Sequence, residues 1–151
     1  MIVYLGADHR GFALKERIKA ALADGGYDVR DLGAPSLAPD DDYPDYAAPV
    51  ARAVSEDPEG RRGIVICGSG AGVDIVANKF KGVRAALALS AAHIAQVRHD
   101  DDMNVLSLAA NFIAEDDAVA IATIFLETPF DGSVARYARR LRKIRDIERA
   151  A

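Results

Sequence analysis

The chain has 151 residues, half of them hydrophobic, with a formal net charge of -4. That size and balance suit a single globular domain over 1–151 with its own core, and the charge gives no general affinity for nucleic acid. A single cysteine excludes an intrachain disulfide, and no apolar run approaches the roughly 18 residues of a membrane span, so a cytoplasmic protein without membrane contact is expected.

The opening MIVYLGADHRG reaches a charge at Asp8, too early for a secretory signal, and its IVYLG (2–6) predicts a first strand. FALKERIKAALADGG follows with Leu14, Ile18, Ala21 and Leu22 on one stripe and Gly25–Gly26 as its stop, which predicts a helix. DVRDLG (28–33) is a second strand. APSLAPDDDYPDY holds three prolines and four aspartates and reads as a surface loop; an acidic run can hold a cation, but no matching ligands stand elsewhere. GIVICG (63–68), continuous and β-branched, is the clearest strand, and a helix starts near residue 72 after a glycine-rich turn.

RAALAL (84–89) and NVLSLA (104–109) complete five strands, separated by helical stretches, with a further helix near 115–127. This alternation predicts an α/β fold: a five-stranded parallel sheet covered on both faces, three layers in all. In the last segment, VARYARRLRKIRDIERAA, Val134, Tyr137, Leu141 and Ile144 make a narrow apolar seam. A helix over about 133–149 is therefore expected to dock on a neighbouring subunit. Its positive charge is interrupted by Asp146 and Glu148 and has no aromatic company, which argues against a nucleic-acid surface.

Ligands of parallel α/β sheets collect beyond the carboxyl ends of the strands, where Cys67 and Asp8–His9 both fall. Gly68, Gly70 and Gly72 strip β-carbons from the turn before a helix, so that backbone N–H groups can face an anion and favour a thiolate. A lone strand-end thiol is also what a small buried hydrophobe looks like, but the glycine turn directly after it favours chemistry. The turn is neither a dinucleotide fingerprint, which wants G-x-G-x-x-G after the first strand, nor a P-loop, which wants G-K-[ST]. A thiol phosphatase loop would want arginine where Val73 stands. His93 is expected on an exposed helix face, and His99 lies near a helix end between Arg98 and Asp100.

GADHRGFALK, DYPDYA (42–47), ICGSGAGVDIVANKFKGVRAAL (66–87) and NVLSLAA (104–110) together resemble the type B ribose-5-phosphate isomerases and their galactose-6-phosphate isomerase relatives, in order along nearly the whole chain. The resemblance implies a metal-free, cofactor-free aldose–ketose isomerase working through an enediolate. It also implies a homodimer, possibly a tetramer, of Rossmann-like subunits with sites at the subunit boundary. On that reading Cys67 is the base, Ser69 orients or activates it, and the N–H groups of Gly68, Gly70, Ala71 and Gly72 hold the developing oxyanion. Asp8, His9 and Tyr43 bind a small phosphorylated sugar. Relatives without the cysteine use a glutamate where this chain has Val73, which favours Cys67; Asp74 is expected to face outward.

Two arginines four residues apart grip the phosphate in relatives, and RYARRLRKI places Arg136 and Arg140 at that spacing on one helix face. The resemblance breaks in RHDDDMNVL. Asp100 stands in the slot of the ring-opening histidine, His99 one residue early, and Asp101 in the slot of the asparagine that follows. A third phosphate-binding arginine is replaced by Asn111. Ring opening then falls to His99 or Asp100, or the substrate is too short to close a ring, such as a tetrulose phosphate. A non-catalytic sugar-phosphate-binding protein on the same scaffold is the alternative of a different class.

Overall fold

The computed structural model describes all 151 residues. In chain order the elements are β1 (Ile2–Ala7), α1 (Phe12–Asp24), β2 (Asp28–Asp31), α2 (Pro44–Glu56), β3 (Arg61–Cys67), α3 (Ala71–Ala77), β4 (Ala85–Leu87), α4 (Ala91–Asp101), β5 (Val105–Ala109), α5 (Glu115–Glu127) and α6 (Ala135–Ala150). The strands form one parallel sheet in the order β2-β1-β3-β5-β4, as strand–helix alternation requires.

β3 is central because it is apolar on both faces. Ile64 and Ile66 pack under α1, α4 and α5 with Leu14, Ile18, Ile94, Ile121 and Phe125. Val65 and Cys67 pack under α2 and α3 with Val50, Val54 and Val73. One continuous run thus feeds two cores through the two-residue period of a strand. The edge strands are shorter than their apolar runs. β2 stops at Asp31, whose carboxylate takes the ammonium of Lys15, a side chain with 0% exposure.

Three expectations change. The acidic segment ends in a helix rather than a loop: Pro44 opens α2, where its missing N–H costs nothing. Asp74 does not face outward. It accepts a hydrogen bond from Ser107 Oγ at 2.8 Å, because α3 lies over β5 and the fully buried hydroxyl needs a partner. His93 is half-buried, with its backbone N–H on Ser90 Oγ at 3.1 Å and its ring Nδ1 out of solvent. In α6 the seam is only half packed: Tyr137 and Leu141 are buried, while Ile144 and Ile147 are exposed. No helix is long and apolar enough to cross a membrane.

Candidate active site

β1 and β3 end in register, Ala7 beside Ile66, so the residues that follow, Asp8 and Cys67, emerge side by side. Asp8 Oδ1 accepts the N–H groups of Arg10 and Gly11, both at 3.0 Å, which fixes the turn into α1. Between this turn and the one after β3 lies a cavity of about 290 Å³, with Asp8, Cys67, Gly68 and Ser69 on its walls. Arg10, Tyr43, Gly72 and Asn111 complete the lining.

Cys67 is only 4% exposed and belongs to the core under α2 and α3, yet it also lines this cavity. Gly70 N–H donates to Sγ at 3.2 Å. Gly70 has φ 71°, and a β-carbon there would overlap Leu87 and come within 3.0 Å of the Leu108 carbonyl carbon. Glycine alone therefore aims that N–H at the sulfur. At Gly72 a β-carbon would meet the Tyr43 ring at 2.7 Å, so the tyrosine lies flush on the turn.

Ser69 reaches the cavity but makes no hydrogen bond to the thiol; its Oγ accepts from Ala71 N–H at 3.4 Å. Gly70 and Ala71 support the turn without lining the cavity. His9 is turned from the cavity toward the acidic loop, where its backbone N–H and Nδ1 both meet Asp41 Oδ1, at 2.9 and 2.7 Å. Burial pushes the Asp41 carboxyl up, but the backbone N–H and ring of His9 hold it below the usual carboxylate range. No three side chains among His, Cys, Asp and Glu converge to form a metal-ligand set.

The remaining candidates lie elsewhere. α4 leaves the carboxyl edge of the sheet after β4 and returns to the amino edge before β5, so it carries His99, Asp100 and Asp101 a strand length from Cys67, roughly 20 Å. His99 Nδ1 is 2.8 Å from Asp100 Oδ1, and its ring meets Tyr137 edge-on with centroids 5.9 Å apart. The His99 hydrogen bond, helped by Tyr137, holds Asp100 below the usual carboxylate range. Arg136 lies over the Tyr137 ring at 5.0 Å and donates to its hydroxyl at 3.2 Å. Asp101 and Arg140 are exposed nearby. Under α6 at this edge lies a larger cavity, about 420 Å³, walled by Arg84, Asp102, Phe130 and Ile144 among others; it holds no thiol and no histidine.

The structure thus brings Asp8, Tyr43, Cys67, Ser69 and Asn111 together at one edge and His99, Asp100 and Arg136 at the other. Arg10 was not singled out by the sequence reading. Its signal was a cation directly after Asp8–His9, in a chain whose expected arginine at 111 is missing.

A family model described as Ribose/Galactose Isomerase matches residues 3–144. The chain is 40% identical over 147 residues to a probable ribose-5-phosphate isomerase B of Mycoplasma pneumoniae, covering 97% of this chain and 95% of that one. It is 38% identical over 144 residues to a 4-deoxy-4-sulfo-D-erythrose isomerase of a Clostridium species, covering 95% and 89%. Among solved structures, ribose-5-phosphate isomerase B of Mycoplasma genitalium with bound ribulose-5-phosphate superposes with a TM-score of 0.95 at 38% identity, over 99% of this chain and 97% of that one. With a parallel sheet of this topology and a match along nearly its whole length, the chain belongs to the ribose/galactose isomerase family of sugar isomerases.

Proposed function

We propose that the protein interconverts a small aldose phosphate and its ketose, of the ribose 5-phosphate/ribulose 5-phosphate type, through an enediolate with Cys67 as base. The observation that carries this is a buried cysteine at the wall of an open cavity, whose sulfur receives one backbone N–H. The sulfur takes the proton from the carbon beside the carbonyl, and the electron pair of that C–H bond becomes the enediolate. A proton that has exchanged with solvent at the sulfur then returns to the neighbouring carbon, while the hydroxyl proton passes from one oxygen of the enediolate to the other. Turn N–H groups meet the charge on oxygen, each well-placed donor being worth about 3 kcal/mol.

Two copies of the chain complete each site. His99, Asp100, Arg136 and Arg140 of one copy reach the cavity of the other, to open the sugar ring and hold its phosphate. Support comes from their exposure at the far edge and from unpacked apolar surface at both edges. Leu89 is 77% and Phe112 82% exposed near the cavity edge, and Ile147 70% exposed on α6, as a homodimer of a cytoplasmic enzyme would use. A four-carbon substrate is the second reading, favoured by the Clostridium relative's printed activity and by Asp100 standing where a ring-opening histidine is expected.

The test is a panel of four-, five- and six-carbon sugar phosphates. The highest kcat/KM is expected for ribose 5-phosphate. Best turnover of a tetrose phosphate would move the proposal to the second reading, and no turnover of any member would remove it.

A further inference from the structure

The proposed substrate carries a tetrahedral oxyanion, yet the cavity beside Cys67 has one cationic side chain, Arg10, against one carboxylate, Asp8. Several other arginines are already paired: Arg61 with Glu56, Arg84 and Arg98 with Asp102, Arg17 with Asp116. The Arg10 guanidinium has no carboxylate within 4.0 Å and no hydrogen bond, while its backbone is anchored by its own N–H on Asp8 Oδ1 at 3.0 Å. Asp8 Oδ1 thus holds backbone N–H groups rather than the guanidinium, which is left for something outside the chain. Its stem lies against the turn: a β-carbon on Gly68 would sit 2.7 Å from Arg10 Cδ and 2.9 Å from Asn111 Nδ2. Arg10 and Asn111 therefore flank the same glycine, at the entrance to the proton-transfer loop.

We infer that Arg10 is an anion-anchoring residue of the Cys67 cavity, gripping the phosphate or sulfonate end of the substrate from the same chain that supplies the base. The inference rests on the isomerase reading for its substrate. A guanidinium fork matches two oxygens of a tetrahedral anion, whereas the Asn111 amide beside it offers a neutral donor. The cation that position 111 does not provide is supplied from across Gly68. This makes Arg10 a determinant of substrate length as well as charge, because it fixes how far the anion lies from the sulfur.

The test compares wild type with Arg10→Gln, Arg10→Lys and the double variant Arg10→Gln/Asn111→Arg. It reads KM and kcat for the best sugar phosphate, and the Kd for inorganic phosphate and for methanesulfonate by calorimetry. In Arg10→Gln, KM and phosphate Kd should both rise about 30-fold, the loss of one charge-assisted pair, with kcat held within about threefold. Arg10→Lys should fall between, and Asn111→Arg should restore most of both quantities, a rescue that a purely structural role would not give. A larger change in methanesulfonate Kd than in phosphate Kd would assign the site to sulfonates. Unchanged KM and anion Kd in an active, folded Arg10→Gln protein would overturn the inference and leave the isomerase reading in place. Loss of phosphate binding in Arg10→Gln, in a protein that turns over no sugar phosphate, would instead remove the isomerase reading and leave the anion site.

Discussion

The two edges of the sheet hold their polar groups in opposite ways. At the carboxyl edge, Cys67 is positioned by strand pairing, one N–H on sulfur and a glycine at 70 whose place no β-carbon can take, with Gly68 and Gly72 packed against the side chains of Arg10, Asn111 and Tyr43. At the amino edge, His99, Asp100 and Arg136 sit on helix ends and are positioned by one another and by Tyr137, through a hydrogen bond, an edge-on ring contact and a stacked guanidinium. The first arrangement is rigid and intolerant, suited to a proton transfer that needs fixed geometry. The second is exposed and adjustable, suited to recognition. This fits the departures from the family pattern at 99–101, on the second edge, while the cysteine–glycine turn is intact; the departure at 111 lies beside that turn.

The largest effect should come from the rigid edge. Gly70→Ala forces an alanine into a left-handed conformation and against Leu87 and Leu108, which should cost about 2–3 kcal/mol in urea unfolding. Activity should fall about 100-fold with it, from misplacing the sulfur. A Gly70→Ala protein with wild-type stability and turnover would break the contrast between the edges.

The proposed division of the site between two copies is tested by mixing. Cys67→Ala and Arg136→Gln proteins, each nearly inactive, should recover about a quarter of wild-type activity when co-expressed, since half the dimers are mixed and each contains one intact site. No recovery would place both residues in one chain's site or neither.

Lys15 tests whether the carboxyl edge owes its shape to buried charge. Burial pushes the Asp31 carboxyl up, but Lys15 and Lys19 bring it below its ordinary 3.8. A lowered folded value means that this stabilisation is complete above about pH 4 and is lost as pH falls through the folded value. Lys15→Met should cost about 2 kcal/mol at pH 7 and flatten that acid limb, as followed by urea midpoints from pH 7 to pH 3. The smallest effect is expected for Ser69→Ala, less than about threefold in kcat, because its hydroxyl serves Ala71 N–H and not the sulfur. A loss of 100-fold would restore Ser69 to a direct role.

The layered fold was legible because β3 is a continuous apolar run and α1 carries a clean stripe, both local signals. The strand-end position of Cys67 and its glycine turn were legible for the same reason. Asp74 was misread because its partner, Ser107, lies 33 residues away, and no periodicity announces a buried hydroxyl seeking an acceptor. His9 was placed at the right turn, but its contact with Asp41 depends on how the acidic loop folds back. Arg10 escaped notice since exposed arginines are common; only its proximity to Gly68 and Asn111 in space gives it meaning. The placement of His99 and Cys67 at opposite edges was not read from the sequence, because it depends on α4 running from one edge of the sheet to the other.

Solvent-deuterium incorporation into the sugar phosphate tests the account most directly. Wild type should introduce deuterium at the carbon next to the carbonyl, and Cys67→Ala, with an unchanged circular dichroism spectrum and phosphate affinity, should introduce none above background. Exchange by Cys67→Ala at the wild-type rate would contradict the assignment of sulfur as the base.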